Sequence, residues 1–137
     1  MEAKQILGLD VGQARTGIAR ASSIAKLAEP IESIETLKLL NVIEKFIAKE
    51  DVASIVVGLP RNLSGDDTGQ TAWVREWVQQ HKDKIGLPMY WQDEALTTKN
   101  AEIRAASAKQ PVDVDAVAAA IILQDFLDTP EADWVVC

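Results

Sequence analysis

Ile6-Leu7-Gly8-Leu9-Asp10-Val11-Gly12 is the stretch on which the reading of this chain turns. Ile6 to Leu9 make a short apolar run that reads as a buried strand, and Asp10 stands where that strand leaves the core. Gly12 reads as the turn out of it, because glycine tolerates the positive φ that other residues resist. An acid at the mouth of a central strand stays partly dry and still reaches solvent, which suits a metal ligand or a general base. It equally suits a plain structural role, with the side-chain oxygen shaping the turn. The stretch alone leaves both open.

Outward from this strand, Thr16–Arg20 reads as a second strand, folded back on the first as a hairpin, and Pro30–Ile34 as a third with alternating apolar positions. From Thr36 the period changes. Leu39, Leu40, Ile43, Phe46 and Ile47 recur at three- and four-residue spacing and predict an amphipathic helix over 36–50. Ala53–Gly58 is a β-branched apolar run, as expected of a parallel strand buried on both faces. A loop over 61–69 carries Asn62 and leads to a predicted helix over 71–81. Trp73, Val74, Trp77 and Val78 lie on its inner face, the tryptophans as core and not as a platform for bases. His81, the one histidine, reads as a solvated residue favoured by the helix dipole.

Leu87–Gln92 is the fifth expected strand, and it delivers Asp93-Glu94 at its far end. Thr97 or Thr98 can cap a helix through Ala101, Ile103 and Ala105, which Gln110-Pro111 interrupts. A last helix runs from Asp113 to about Leu127; it is apolar almost all round and should be buried. Trp134 and Val135 belong to a short tail that can fold back. The order predicts an α/β fold: a mixed five-stranded sheet, three antiparallel strands then two parallel, flanked by helices.

The 137 residues are expected to form one domain over 1–137, with 47% hydrophobic residues supplying its core. No apolar segment reaches the roughly 20 residues that span a membrane, no signal-peptide pattern precedes the first strand, and the lone Cys137 has no disulfide partner. A cytoplasmic protein with no membrane contact is the expectation. Formal charge is −7, from 21 acids against 14 bases. That argues against a nucleic-acid surface, except where acids gather around divalent cations and reverse the local sign.

Three acids share such a setting. Asp10 ends strand one, Glu94 or Asp93 ends strand five, and Asp115 opens the apolar last helix. Sites in these sheets gather at the carboxyl ends of parallel strands. Carboxylates meeting there repel unless a cation lies among them, and Mg²⁺ or Mn²⁺ suits all-oxygen ligands. Two such ions about 4 Å apart can activate water and stabilise a leaving oxygen in phosphodiester hydrolysis. Each acid also has a plain reading. Asp115 can serve its helix dipole, although Asp113 is the better N-cap, and Glu94 can be a loop acid. Adjacent strand residues face opposite sides, so only one of Asp93 and Glu94 should point into the site.

Gly8-Leu9-Asp10-Val11-Gly12-Gln13-Ala14-Arg15-Thr16-Gly17-Ile18-Ala19 resembles the opening of the YqgF/RuvX family, the Holliday-junction-resolvase-like proteins also described as pre-16S rRNA nucleases. Ile55-Val56-Val57-Gly58-Leu59-Pro60-Arg61-Asn62-Leu63-Ser64-Gly65, Asp93-Glu94-Ala95-Leu96-Thr97-Thr98 and Val114-Asp115-Ala116-Val117-Ala118-Ala119-Ala120-Ile121-Ile122-Leu123 resemble its later signatures, in order. The resemblance implies an RNase H-like fold and metal-dependent cleavage of structured nucleic acid, either precursor rRNA or branched DNA. Asp10, Glu94 and Asp115 would be the acidic triad holding Mg²⁺ or Mn²⁺, two ions in all, with Asp93 in reserve for Glu94. Arg15 would contact phosphate through its planar fork. Gly12, Asn62, Thr97 and Thr98 would shape the site or its groove.

Two features depart from the family pattern. Ala95 stands where an arginine is usual, and Ala105–Pro111 lacks the usual cluster of bases, so either substrate affinity is weak or a partner on the ribosomal precursor supplies basic surface. These motivate an alternative, a non-catalytic nucleic-acid-binding or regulatory module. A sugar-kinase-like ATPase also opens on an Asp-x-Gly strand, but needs two such domains. Cutting both strands of a junction would call for a two-fold homodimer.

Overall fold

The computed structural model describes residues 3–62, 64–94 and 113–137. Its centre is the opening stretch, now strand β1 (Gln5–Val11), with Leu7 and Leu9 fully buried. β2 (Arg15–Ser22) pairs antiparallel with β1, and β3 (Glu29–Glu35) antiparallel with β2. A 3₁₀ turn (Thr36–Lys38) enters α1 (Leu39–Lys49), and β4 (Val52–Leu59) then returns parallel to β1. α2 (Gly69–Ile85) crosses to β5 (Met89–Asp93), which is parallel to β4; α3 (Val114–Asp128) follows.

The sheet order is β3-β2-β1-β4-β5-β6. The expected mixed, helix-flanked sheet is present with one addition. Val135–Val136 of the tail form β6, antiparallel to β5, so the strands number six and not five. Two exposed residues are too few to show alternation in a sequence; their pairing comes from the tail packing back, with Trp134 stacked on Phe126 at 4.3 Å.

Alternation along the strands separates two layers. Leu7, Leu9, Val11, Ile18, Ile55 and Val57 face α1 and α2, together with Trp77 and Val78. Ile6, Ala19, Ala21 and Val56 face α3, whose alanines, Ile122, Leu123 and Phe126 cover them. Small residues on this face let α3 lie close to the sheet.

α2 is longer than the spacing predicts. Thr68 and Thr71 form a capping box at its start, and Gly86, at φ 70°, closes its end in the left-handed region. His81 is therefore not a solvated terminal residue. It is partly buried, its Nδ1 lies 2.7 Å from the Trp77 carbonyl, and its ring stacks on Trp77 at 4.4 Å. Trp77 is core, as expected.

Gly12 also differs from expectation in its reason. Among the described residues, left-handed backbone occurs at Lys26, Gly65 and Gly86 and not at Gly12. What Gly12 provides is room: its N–H donates to the Arg15 carbonyl at 3.0 Å, and a Cβ would lie 2.5 Å from that oxygen. The tight β1–β2 turn requires the missing side chain, not the unusual φ.

Candidate active site

Asp10 is next to last in β1, on the α3 face, and is paired across the ladder with Gly17 of β2. A Cβ at Gly17 would collide with the carbonyl oxygen of Asp115. The first turn of α3 thus rests directly on β2 beside Asp10. Asp113 fixes that turn as its N-cap, accepting from Ala116 N at 3.1 Å and from Ser33 N at 2.7 Å. Burial raises the Asp113 carboxyl, but the hydrogen bonds from Ser33 and Ala116 outweigh it and hold the group below its ordinary value. Asp113 is the cap, as expected, and Asp115 is free for another role.

On the other flank of β1, β5 ends beside β4, with Asp93 opposite Leu59. Glu94 N donates to Leu59 O at 3.3 Å, so the extended backbone continues one residue further. Alternation then separates the two acids. Asp93 is exposed and turns toward Arg61, 3.4 Å away. Glu94 turns to the α3 face, where its Oε2 would lie 2.9 Å from a Cβ on Gly58. The choice the sequence left open falls to Glu94 in and Asp93 out.

Asp10 and Glu94 meet there, both largely shielded from water. Burial and then the negative Asp10 carboxyl push Glu94 up to about 10. Asp10 is also raised, first by burial and further by Asp115, while its contact with Glu94 works the other way. Glu94 Oε2 is buried and has no hydrogen-bond partner among the described residues. Two facing carboxylates, one with an orphaned oxygen, make a donor set that fits a hard divalent cation. Asp115 stands beside the pair without closing it: among the described residues, no three acid, histidine or cysteine side chains gather tightly enough to hold an ion.

Arg15 begins β2 on the same face as Gly17, one pleat nearer the edge. Its Nη2 donates to Ser33 O at 3.2 Å and Ser33 Oγ at 2.8 Å, and the side chain is exposed. Ser33 N in turn donates to Asp113, so Arg15 is tied to the start of α3. Asn62 is occupied within its loop, where Oδ1 accepts from Ser64 N at 3.0 Å and Asp66 N at 2.9 Å. Thr97 and Thr98 lie outside the described residues, as does the helix expected through Ala101. Gly17 and Gly58 escaped the sequence reading. Their signal was small residues at alternate strand positions, Gly17-Ile18-Ala19-Arg20-Ala21 above all, opposite a helix rich in alanine.

A cavity of about 420 Å³ lies at the outer side of β5, lined by Arg61, Arg75, Trp91, Asp93 and Trp134 among others. The acid pair is not part of its wall. No helix among the described residues is long and apolar enough to cross a membrane.

The sequence and the fold have counterparts among known proteins. Residues 4–129 match the family RuvX, described as Holliday junction resolvase. A protein of Roseiflexus sp. (strain RS-1) is 33% identical over 136 residues, covering 93% of this chain and 96% of its own length. One of Fusobacterium nucleatum is 35% identical over 135 residues, covering 91% of this chain and 97% of its own. Both carry the name "Putative pre-16S rRNA nuclease". Among solved structures, Thermus thermophilus RuvC in complex with a Holliday junction substrate superposes with a TM-score of 0.62 at 15% identity, over 98% of this chain and 99% of that one. A second Thermus thermophilus RuvC structure gives 0.58, also at 15%. At that identity the likeness shows the fold, which is RNase H-like. The match over most of its length shows that this chain belongs to the RuvX family of Holliday junction resolvase-like proteins.

Proposed function

We propose that this chain is a divalent-metal-dependent endonuclease of structured nucleic acid, with precursor 16S rRNA as its substrate and Holliday-junction-type DNA as the competing one. The observation that carries the reading is the partly buried, face-to-face pair of Asp10 and Glu94, with one Glu94 oxygen unpartnered among the described residues, at the carboxyl edge of an RNase H-like sheet. Two acids with raised proton affinity in one spot work against stability, and a site that holds a cation gives them a use. Asp10 and Glu94 are the ligands, Asp115 is the third candidate beside them, and the ions are Mg²⁺ or Mn²⁺, two in all. An ion held there would offset negative charge developing on the phosphate and would favour ionisation of the attacking water.

The protein's own groups do the rest. The Glu94 carboxyl, raised by burial and by Asp10, would give up its proton on taking up a cation. Arg15 presents a fork to a substrate phosphate from the adjacent pleat, held there by Ser33. Gly12 keeps the β1–β2 turn tight against the edge over which the strand would pass. Asn62 shapes the neighbouring loop. The protein works in the cytoplasm on the ribosomal precursor, and a homodimer is needed only for symmetric cuts across a junction.

Cleavage of a pre-16S rRNA 5′ leader and of a four-way DNA junction, each with Mg²⁺ or Mn²⁺, tests this. The wild type should cut the RNA, and Asp10→Asn should lose at least about a hundredfold in rate. Equal activity in the variant, or none in the wild type on either substrate, sinks the reading. A second reading, a binding module without catalysis, is favoured by one observation: Asp115 does not complete a three-acid cluster. A folded wild type that takes up no Mn²⁺ in a calorimetric titration would establish that alternative.

A further inference from the structure

Which of two adjacent acids enters the site is decided at the last pleat of β5, where a strand ordinarily frays. Across that pleat from Glu94, Arg61 Nε lies 3.4 Å from Asp93 Oδ1 and also 3.4 Å from Asp67 Oδ1. Arg75 Nε holds the second oxygen of Asp67 at 3.5 Å, and its guanidinium lies over the Trp91 ring at 5.5 Å. Arg61 Nε is buried and makes no hydrogen bond of ordinary geometry. Its hold on the two acids is therefore electrostatic, and the nitrogen lies equally far from both.

The base of this clamp is tied to its surroundings by hydrogen bonds. Arg61 and Asp67 form a β-bridge, the turn between them is filled by the Asn62 side chain, and the Thr71 hydroxyl donates to the Pro60 carbonyl from the capping box of α2. Beyond Trp91, β6 no longer pairs with β5, so among the described residues the Asp93–Glu94 step has no strand partner on its outer side. Among the described residues, the ladder pairing of Asp93 with Leu59, the Glu94 N–H bond to Leu59 O and the Arg61 contact with Asp93 hold it.

We propose that Arg61 is a positioning residue: by clamping Asp93 on one face of β5 it fixes Glu94 on the other, toward Asp10. A mere charge effect of Arg61 has the opposite sign. Removing a cation near an acid site raises the negative potential there and should tighten divalent-ion binding. Losing a positioning contact should weaken it, by about tenfold or more.

Arg61→Gln and Asp93→Asn separate these. In chelator, amide exchange followed by NMR should quicken at least about tenfold for Glu94 in either variant, while the buried Val57 amide in β4 stays as in the wild type. In Mn²⁺ titrations both variants should bind about tenfold more weakly, with the double variant no worse than either alone and Arg61→Lys recovering part of the loss. Unchanged exchange at Glu94 overturns the proposal, as does tighter Mn²⁺ binding. The metal arm rests on the nuclease reading above and the exchange arm does not. If the wild type takes up no Mn²⁺, that reading falls while Glu94 exchange still decides the clamp. If Arg61→Gln fails to fold, Glu94 exchange in Asp93→Asn, which alters an exposed acid, carries the test; its Mn²⁺ binding does not, because loss of a negative charge weakens it too.

Discussion

Glu94 illustrates how a site residue works against the fold that holds it. Its carboxyl is raised from 4.5 to about 10, by burial and then by Asp10. Between those values the folded protein binds more protons than the unfolded chain, so stability falls as pH rises from about 4.5 upward. Asp10 is raised too and adds in the same direction. In chelator, thermal melts from pH 4 to 9 should therefore show the wild type losing stability steadily. Glu94→Gln should flatten that profile and be more stable at pH 8 by on the order of 1–3 kcal/mol, while matching the wild type near pH 4. Adding Mn²⁺ should stabilise the wild type and leave the variant unmoved. A wild type as stable at pH 8 as at pH 5 without metal would show that neither burial nor Asp10 raises the Glu94 carboxyl.

At the scale of elements, the critical joint is the seat of α3 on β2. Gly17 leaves no space for a Cβ against the Asp115 carbonyl, and a helix backbone yields less readily than a side chain. Gly17→Ala should cost about 1–3 kcal/mol by overpacking and lift the first turn of α3 away from Asp10. A melting curve should show the loss, and Mn²⁺ titration should show weaker binding than Ala19→Gly, which loosens the same strand without a clash. Equal binding in both would mean that Asp115 takes no part.

Elements with a long, regular period were legible from sequence: β1 and β4 from their apolar runs, α1 from its spacing, α3 from its unbroken apolar character. β6 was not, because its pairing depends on aromatic packing by Trp134 that no local pattern encodes. The three acids could be named from their places at element ends. The choice between Asp93 and Glu94 could not, because a register is set by partners across the sheet. Nor could the Arg61 clamp, whose acids come from a loop and from a distant strand.

For the whole molecule the question is how a chain of net charge −7 holds a polyanion. Its described arginines are mostly engaged. Arg20 pairs with Glu29 at 2.8 Å and Glu50 at 2.9 Å, at the end of the sheet away from Asp10, and Arg61 and Arg75 share Asp67. Among the described residues Arg15 forms no ion pair, and its side chain is held only by Ser33. Few described arginines are therefore available to take phosphate, and on the proposed reading metal at the acid pair would supply part of the attraction. For Asp10→Asn, which on the proposed reading should not cut, binding to pre-16S RNA in KCl should follow a shallow log–log slope. Two or three phosphate contacts predict roughly −2. Arg15→Gln should lower that slope by about one contact's worth while leaving the fold intact. A slope of about −5 or steeper in the absence of other proteins would contradict this picture. It would require a cationic surface larger than one chain offers, as a dimer assembled on the RNA could present, and sedimentation of the complex would then show two copies per RNA.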